Sequence, residues 1–238
     1  MELAILYDNK AVSGSFLSGW GFSCLARRQV LFDTGEDFES LQHNLEALDV
    51  DISALDTVVL SHNHWDHTGG LEGLLRKMDG GVRVYGCSDT DSSLIKLVRS
   101  SGGEFIEGSE PEEISDGIYT TGQIRGSYKE SAIMEQSMVI ETGERIAVVT
   151  GCSHPGIVNI IERVKEIFPE ERVTLVLGGF HLKDKSPGMV YSIAERMKEL
   201  GVEKAAPAHC TGDGAIDIFR EIYGQDFISA GAGKVMEV

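Results

Sequence analysis

Ser61-His62-Asn63-His64-Trp65-Asp66-His67-Thr68-Gly69-Gly70 sets three imidazoles and a carboxylate within six residues, after the apolar β-type run Thr57-Val58-Val59-Leu60 and before a helical pattern starting near Leu71. In extended backbone, residues two apart face the same side, so His62 and His64 aim at one point. As the chain turns into the helix, Asp66 and His67 swing to a neighbouring point, and Gly69-Gly70 permits a sharp turn and a close backbone approach. Imidazole and carboxylate are ligands for zinc, iron or manganese, and two such ions roughly 3.5–4 Å apart form a common hydrolytic centre. A surface loop that is merely His-rich has no reason to fall at a strand-to-helix junction.

Three more segments follow strand-like runs: Thr150 to Gly156, Gly178 to Leu182 and Pro207 to Gly212. They add His154, His181 and His209, with Cys152 and Cys210 beside them. Loops at strand ends are where a rigid scaffold carries chemistry. One such histidine alone reads as a hydrogen-bonded structural residue; their convergence on one rim is what points to a site. His43 falls off the apolar face of its helix and receives no role.

The 238 residues suit one large domain, 1–238. A formal net charge of −17, from 21 basic and 38 acidic residues, argues against nucleic acid and anionic membrane surfaces as partners. A small anionic substrate stays compatible, because bound dications reverse the local field. No apolar run approaches the roughly 20 residues of a membrane span, and the start lacks a basic leader region, so the expectation is a cytoplasmic protein. Four cysteines without a C-x-x-C pair exclude a zinc ribbon or a thioredoxin-type dithiol. Cys24 and Cys87 read as small core residues, and Cys210, directly after His209, as a structural residue pointing away from it.

Strands are expected at Leu3 to Tyr7, Gly21 to Arg27 and Gln29 to Asp33 (a tight hairpin), Val82 to Tyr85, Phe105-Ile106, Gly117 to Thr121, Ser137 to Glu141, Arg145 to Thr150, Val173 to Leu177 and Ala205 to Ala208, with a last one at Lys234 to Val238. Helical spacing covers Asp37 to Leu48, Leu71 to Met78, Asp91 to Ser100, Ile157 to Phe168, Pro187 to Leu200 and Gly214 to Tyr223. Pro187 starts its helix and Gly201 ends it, the usual asymmetry. Ala11 to Trp20 reads as a Ser/Gly-rich loop, and the acidic run Glu107 to Glu113 as a solvated turn around Pro111.

With these residues in view, the chain resembles the metallo-β-lactamase superfamily: Phe32-Asp33-Thr34-Gly35, Ser61 to Gly70, Thr150-Gly151 and Pro207 to Gly212 match its pattern. Glu135-Gln136-Ser137-Met138, Gly151 to Gly156 and Gly178 to Leu182 look like a subgroup of metal-dependent hydrolases that includes dihydropteroate synthase-like proteins of methanopterin synthesis. The resemblance implies a four-layer αββα sandwich with the metal site at one edge of two central sheets. It implies two divalent metal ions, zinc first and manganese or iron as alternatives: His62 and His64 on one, Asp66, His67 and His209 on the other, and Asp33 orienting ligands.

The chain departs from the family pattern twice. Thr121-Gly122-Gln123-Ile124 stands where many members have a P-G-H-type turn, and Cys152 replaces the bridging aspartate of T-G-D. The expectation is that His154 supplies the missing imidazole, with Cys152 a ligand or close neighbour of the metals. His181 is left as a candidate acid, base or phosphate donor, and Asp66 as ligand and catalytic proton handler. The leading function is a hydrolase in which a metal-bound hydroxide attacks a small ester or phosphoester. The alternatives are a synthase-like transferase joining a pterin-methyl diphosphate to an aminobenzene ribose phosphate, and a non-catalytic metal-binding protein.

Overall fold

The computed structural model describes residues 1–238. In the first half the chain forms β1 (Glu2–Tyr7), β2 (Ser23–Ala26), β3 (Val30–Phe32), α1 (Phe38–Ala47), β4 (Thr57–Val59), α2 (Trp65–Thr68), α3 (Leu71–Lys77), β5 (Arg83–Gly86), α4 (Ser92–Ser100) and β6 (Glu104–Glu107). It continues with β7 (Glu112–Ser115), β8 (Ile118–Thr120), β9 (Ile124–Tyr128), β10 (Ser131–Glu135), β11 (Met138–Glu141), β12 (Arg145–Thr150), α5 (Ile157–Ile167), β13 (Arg172–Gly179), α6 (Pro187–Glu199), β14 (Lys204–Ala208), α7 (Asp213–Tyr223) and β15 (Val235–Glu237).

Two sheets result. One has seven strands in the order β15-β1-β2-β3-β4-β5-β6, the other six in the order β14-β13-β12-β11-β8-β7. Alternation along each strand sorts its side chains into layers. Leu3 and Ile5, Cys24, Phe32 and Val59 of the first sheet meet Met138, Ile140, Val149, Leu177 and Ala206 of the second in a shared middle layer. The intervening residues face outward: Leu6, Leu25, Leu31 and Val58 pack against Leu41, Leu45, Leu71 and Leu74 of α1 and α3, and Val139, Val148 and Val176 against α5, α6 and α7. Helix, sheet, sheet, helix is the expected four-layer sandwich. Truncating a fully enclosed middle-layer residue such as Leu177 to alanine costs about 2–5 kcal/mol.

Strands β3 to β6 run parallel, as do β12, β13 and β14. The C-terminal ends of β3, β4, β12, β13 and β14 carry Asp33, the His62 loop, Cys152, His181 and His209 in turn, the position where parallel sheets place ligands. Caps match the sequence: Asp37 accepts from Ser40 N at 2.7 Å at the start of α1, Ser186 caps α6 ahead of Pro187, and Gly201 follows it at φ 88°.

Three readings need correction. Glu112–Ser115 is an edge strand rather than part of a turn. Between β8 and β11 lies a hairpin with no counterpart in the expectations, β9 and β10, joined by Lys129-Glu130, both at positive φ. Gly69 and Gly70 have ordinary right-handed φ, so turning is not their use. A Cβ on Gly69 would meet Glu36 O at 2.1 Å, and one on Gly70 would meet Thr34 O at 2.3 Å, so only close approach demands glycine there.

Candidate metal centre

Asp33 follows β3 in a left-handed conformation, φ 56°, fully buried. Its Oδ1 accepts from Ser61 N at 2.7 Å, and its Oδ2 from Ser61 Oγ at 2.7 Å and from His67 Nδ1 at 2.7 Å. The Ser61 hydroxyl proton is thereby spent, so at 2.8 Å from His62 Nδ1 the oxygen acts as acceptor and the ring carries its proton on Nδ1. The same logic fixes His154, whose Nδ1 lies 2.9 Å from Glu135 Oε2, and His209, whose Nδ1 lies 2.9 Å from Asn9 Oδ1. Four rings, those of His62, His67, His154 and His209, are therefore held by the outer nitrogen, and each turns its Nε2 inward. Such outer partners fix tautomer and orientation for metal ligation.

Two of these inward atoms have no protein hydrogen-bond partner, and the other two meet only further candidate ligands. His154 Nε2 and His209 Nε2 are buried without a hydrogen bond, although His209 Nε2 comes within 3.3 Å of Asp66 Oδ2. His62 Nε2 and His64 Nδ1 approach to 3.0 Å. Nitrogens about 2.0–2.1 Å from one tetrahedral ion would themselves be roughly 3.3 Å apart, so that spacing fits a shared cation. Two sets stand out, each with its atoms within 4.8 Å of one another: His62, His64 and His154, and Asp66, His67 and His209. Cys152 joins them. Its Sγ groups with His62 and His67, at 3.3 Å from His67 Nε2.

Electrostatics agree with a cation-ready state. Burial, then the neighbouring His67, His154 and His64, hold His62 well below its usual pKa, and burial and His154 bring His64 down to about 4. Neutral imidazole is the ligating form. Burial works against a charged His67, but the Asp33 carboxylate outweighs it and lifts the ring to about 9. Basicity gained from that carboxylate serves a metal ion as well as a proton. Burial raises Asp66, yet His209 and His67 overcome it and bring the group to about 2. The Cys152 thiol is pushed well up by burial and by Cys210; a bound cation reverses that logic and deprotonates it.

All the expected site residues meet here: Asp33, His62, His64, Asp66, His67, Cys152, His154 and His209, with His181 4.7 Å ring to ring from His154. Gln123 is not among them; its Oε1 accepts from Ser88 N and Oγ at 2.9 and 2.7 Å. Cys210 does not point away. The chain turns into a 3-10 segment at His209, φ 47°, so strand alternation lapses and Cys210 lines the same cavity as Cys152. Asp33, Ser153, His181 and His209 are four of the nine non-glycine residues at positive φ, a concentration typical of functional sites.

Glu135 has no role in the sequence reading and is central in the structure. Its Oε1 accepts from Cys152 N and Ser153 N at 2.9 and 2.7 Å, and its Oε2 from His154 N at 2.7 Å. The β9–β10 hairpin presses on the same loop: a Cβ at Gly126 would meet the His154 carbonyl carbon at 2.5 Å. Asp8, which accepts from His209 N at 2.8 Å, and Asn9 were also missed. Only the Glu135-Gln136-Ser137-Met138 motif signalled any of them. The centre opens into a cavity of about 330 Å³ bordered by Trp20, Trp65, Tyr128 and Lys129. The largest cavity, about 590 Å³, lies at the opposite strand ends around Arg27 and Thr142 and holds no such chemistry.

The family model of the beta-lactamase superfamily domain matches residues 28–114. A crystal structure of a metal-dependent hydrolase of the beta-lactamase superfamily is 31% identical, aligned over 100% of this chain and 99% of that one with a TM-score of 0.83. The metallo-beta-lactamase fold protein YhfI from Bacillus subtilis shares the fold, at 17% identity, 99% of both chains and a TM-score of 0.71. The 7,8-dihydropterin-6-methyl-4-(beta-D-ribofuranosyl)-aminobenzene-5'-phosphate synthase of Methanocaldococcus jannaschii is 28% identical over 89% of this chain and 85% of its own length. The chain belongs to the metallo-β-lactamase superfamily, in the subgroup that takes in both that metal-dependent hydrolase and that synthase.

Proposed function

We propose that His62, His64 and His154 would hold one divalent cation and Asp66, His67 and His209 a second, with the Cys152 thiol near both sets, in a hydrolase of small anionic esters or phosphoesters. The inward-facing, unpartnered imidazole nitrogens carry this reading. Thiolate and imidazole donors favour zinc over harder metals. Cations so held would supply Lewis acidity at a carbonyl or phosphoryl oxygen and would lower the pKa of water towards neutrality. Asp66, ionised at neutral pH, accepts the proton given up by an attacking water. His181, whose Nδ1 has no protein partner, offers a proton to the leaving group. Lys129, Lys183 and Lys185 border the adjoining cavity of about 420 Å³ and suit an anionic substrate in a chain otherwise strongly negative. The middle layer shared by both sheets fits a single domain over 1–238.

A synthase of the pterin type is the second reading, favoured by similarity to the Methanocaldococcus enzyme over most of both chains. In that case the same cations would bind a departing diphosphate. A purely metal-holding protein would close its coordination shell, whereas here the cavity reaches Asp66, His154 and His209. No helix is long and apolar enough to cross a membrane.

Metal analysis of the purified protein, followed by a panel of phosphoesters, lactones and pterin diphosphates with and without an aminobenzoate-type acceptor, separates these readings. Turnover that consumes only water supports hydrolysis; product formed only with the acceptor supports the synthase. Protein that takes up no metal when supplied with zinc, manganese or iron overturns both.

A further inference from the structure

The chain has two tryptophans, Trp20 and Trp65, and both border the cavity over the metal-ligand cluster. Trp65 is 61% exposed and Trp20 38%, so both present ring surface at the mouth of this cavity. Trp20 and Tyr128 also border the adjoining 420 Å³ cavity, so the two spaces share an aromatic boundary. Beyond that boundary stand Lys183, its Nζ 4.8 Å from the Trp20 ring centre, Lys129, its Nζ 5.0 Å from that of Tyr128, and Lys185. One acidic residue, Asp184, lines that second space.

We propose that this second cavity is a substrate subsite for a planar aromatic ring bearing an anionic group at the end remote from the reacting bond. The ring lies against Trp20 and Tyr128, and a phosphate or carboxylate pairs with Lys183, Lys129 and Lys185. The reacting end points to the histidine cluster, and this orientation rests on the function proposed above. The subsite itself is built from residues outside the two ligand sets. Esters that are small and uncharged would fill only the inner cavity and leave Lys183 and Lys185 without a counter-ion.

Because Trp20 borders both cavities and Trp65 the inner one, intrinsic fluorescence reports on ligands entering either, and the choice of probes separates the two. The test titrates purified protein, with and without chelator, with 4-nitrobenzylphosphonate, 4-nitrophenylacetate anion, 4-nitrobenzyl alcohol and methylphosphonate. The expected result is quenching by an aromatic anion at least tenfold tighter than by the alcohol or methylphosphonate, retained in chelator. A preference for phosphonate over carboxylate identifies the tail as phosphate, and the reverse as carboxylate. Lys183→Gln is expected to weaken the aromatic anion about tenfold without changing the alcohol, and Lys183→Arg to restore it. Trp20→Leu, read by titration calorimetry, is expected to weaken the aromatic probes. Equal affinity for ring, anion and their combination overturns the subsite, as does binding that chelator abolishes, since the cations would then be holding the phosphonate. Metal analysis fails or succeeds independently of this outcome.

Discussion

Asp33 closes β3 and Glu135 closes β10, and from each buried carboxylate hangs a loop of candidate metal ligands. Asp33 makes one bond to backbone, at Ser61 N, and two to side chains, at Ser61 Oγ and His67 Nδ1. Glu135 makes three bonds to backbone, at Cys152, Ser153 and His154, and one to a ring. The loop that Asp33 serves is already secured by β4 before it and by α2 and α3 after it. The Cys152 loop has Ser153 in a left-handed conformation and a glycine at φ 96° before α5 begins. So Asp33 aims ligands that the fold has already placed, whereas Glu135 holds together the loop that carries them.

Turnover should depend most on the Asp33 half, because Asp66 lies there. Asp66→Ala is expected to lower kcat/KM on the order of 10²- to 10⁴-fold with the fold retained, since the carboxylate lost lies in the first turn of α2 at the ligand cluster and outside the apolar core. A folded Asp66→Ala protein with unaltered turnover would break the assignment of chemistry to this half. Next in size is Glu135→Ala, which strands three buried N–H groups and the His154 ring. At about 1–3 kcal/mol for each buried group left unsatisfied, a loss of at least 3 kcal/mol in chemical denaturation is expected, with reduced metal content. Stability close to that of the parent protein would show that the loop holds itself.

The two halves also differed in how far the sequence exposed them. The His62 to His67 cluster lies within six residues at a strand-to-helix junction, so local geometry alone predicts convergence. Glu135 acts on residues 17 to 19 positions away through a hairpin whose strands carry Arg125, Ser127, Ser131 and Gly126 in place of clear apolar alternation. Periodicity has nothing to register there. The edge strand Glu112–Ser115 escaped for a related reason, its two glutamates being exposed. Cys210 was misplaced because alternation was extended past the last residue of β14, where His209 has already left extended conformation. The sandwich itself is legible because the buried parallel strands hold apolar runs, Ile146 to Val149 and Leu175 to Leu177, ahead of helical patterns.

Asp33→Asn sharpens the contrast, since the amide can keep the Ser61 N–H bond. Its NH₂ cannot accept from His67 Nδ1–H, so the ring is driven towards the tautomer that carries hydrogen on Nε2, the atom facing the cluster. Metal affinity is expected to fall about 10- to 100-fold, with thermal stability reduced far less than in Glu135→Ala. Equal effects of Asp33→Asn and Glu135→Ala on stability would erase the distinction between aiming ligands and holding a loop.

The smallest change falls where the halves meet. Cys152 is held by Glu135 through its N–H, and its Sγ lies 3.3 Å from His67 Nε2, the ring aimed by Asp33. Cys152→Ser keeps the backbone bond and nearly the volume, and a buried hydroxyl still finds the His67 nitrogen, so the stability cost is expected to stay near 1 kcal/mol. A serine oxygen is harder than a thiolate and far less acidic, so selectivity is expected to shift from zinc towards manganese or iron, with lower total metal. Metal analysis of parent and variant grown with equal zinc and manganese reads that shift directly. An unchanged metal profile would confine Cys152 to packing, and the halves would then meet through His154 against His62 and His64.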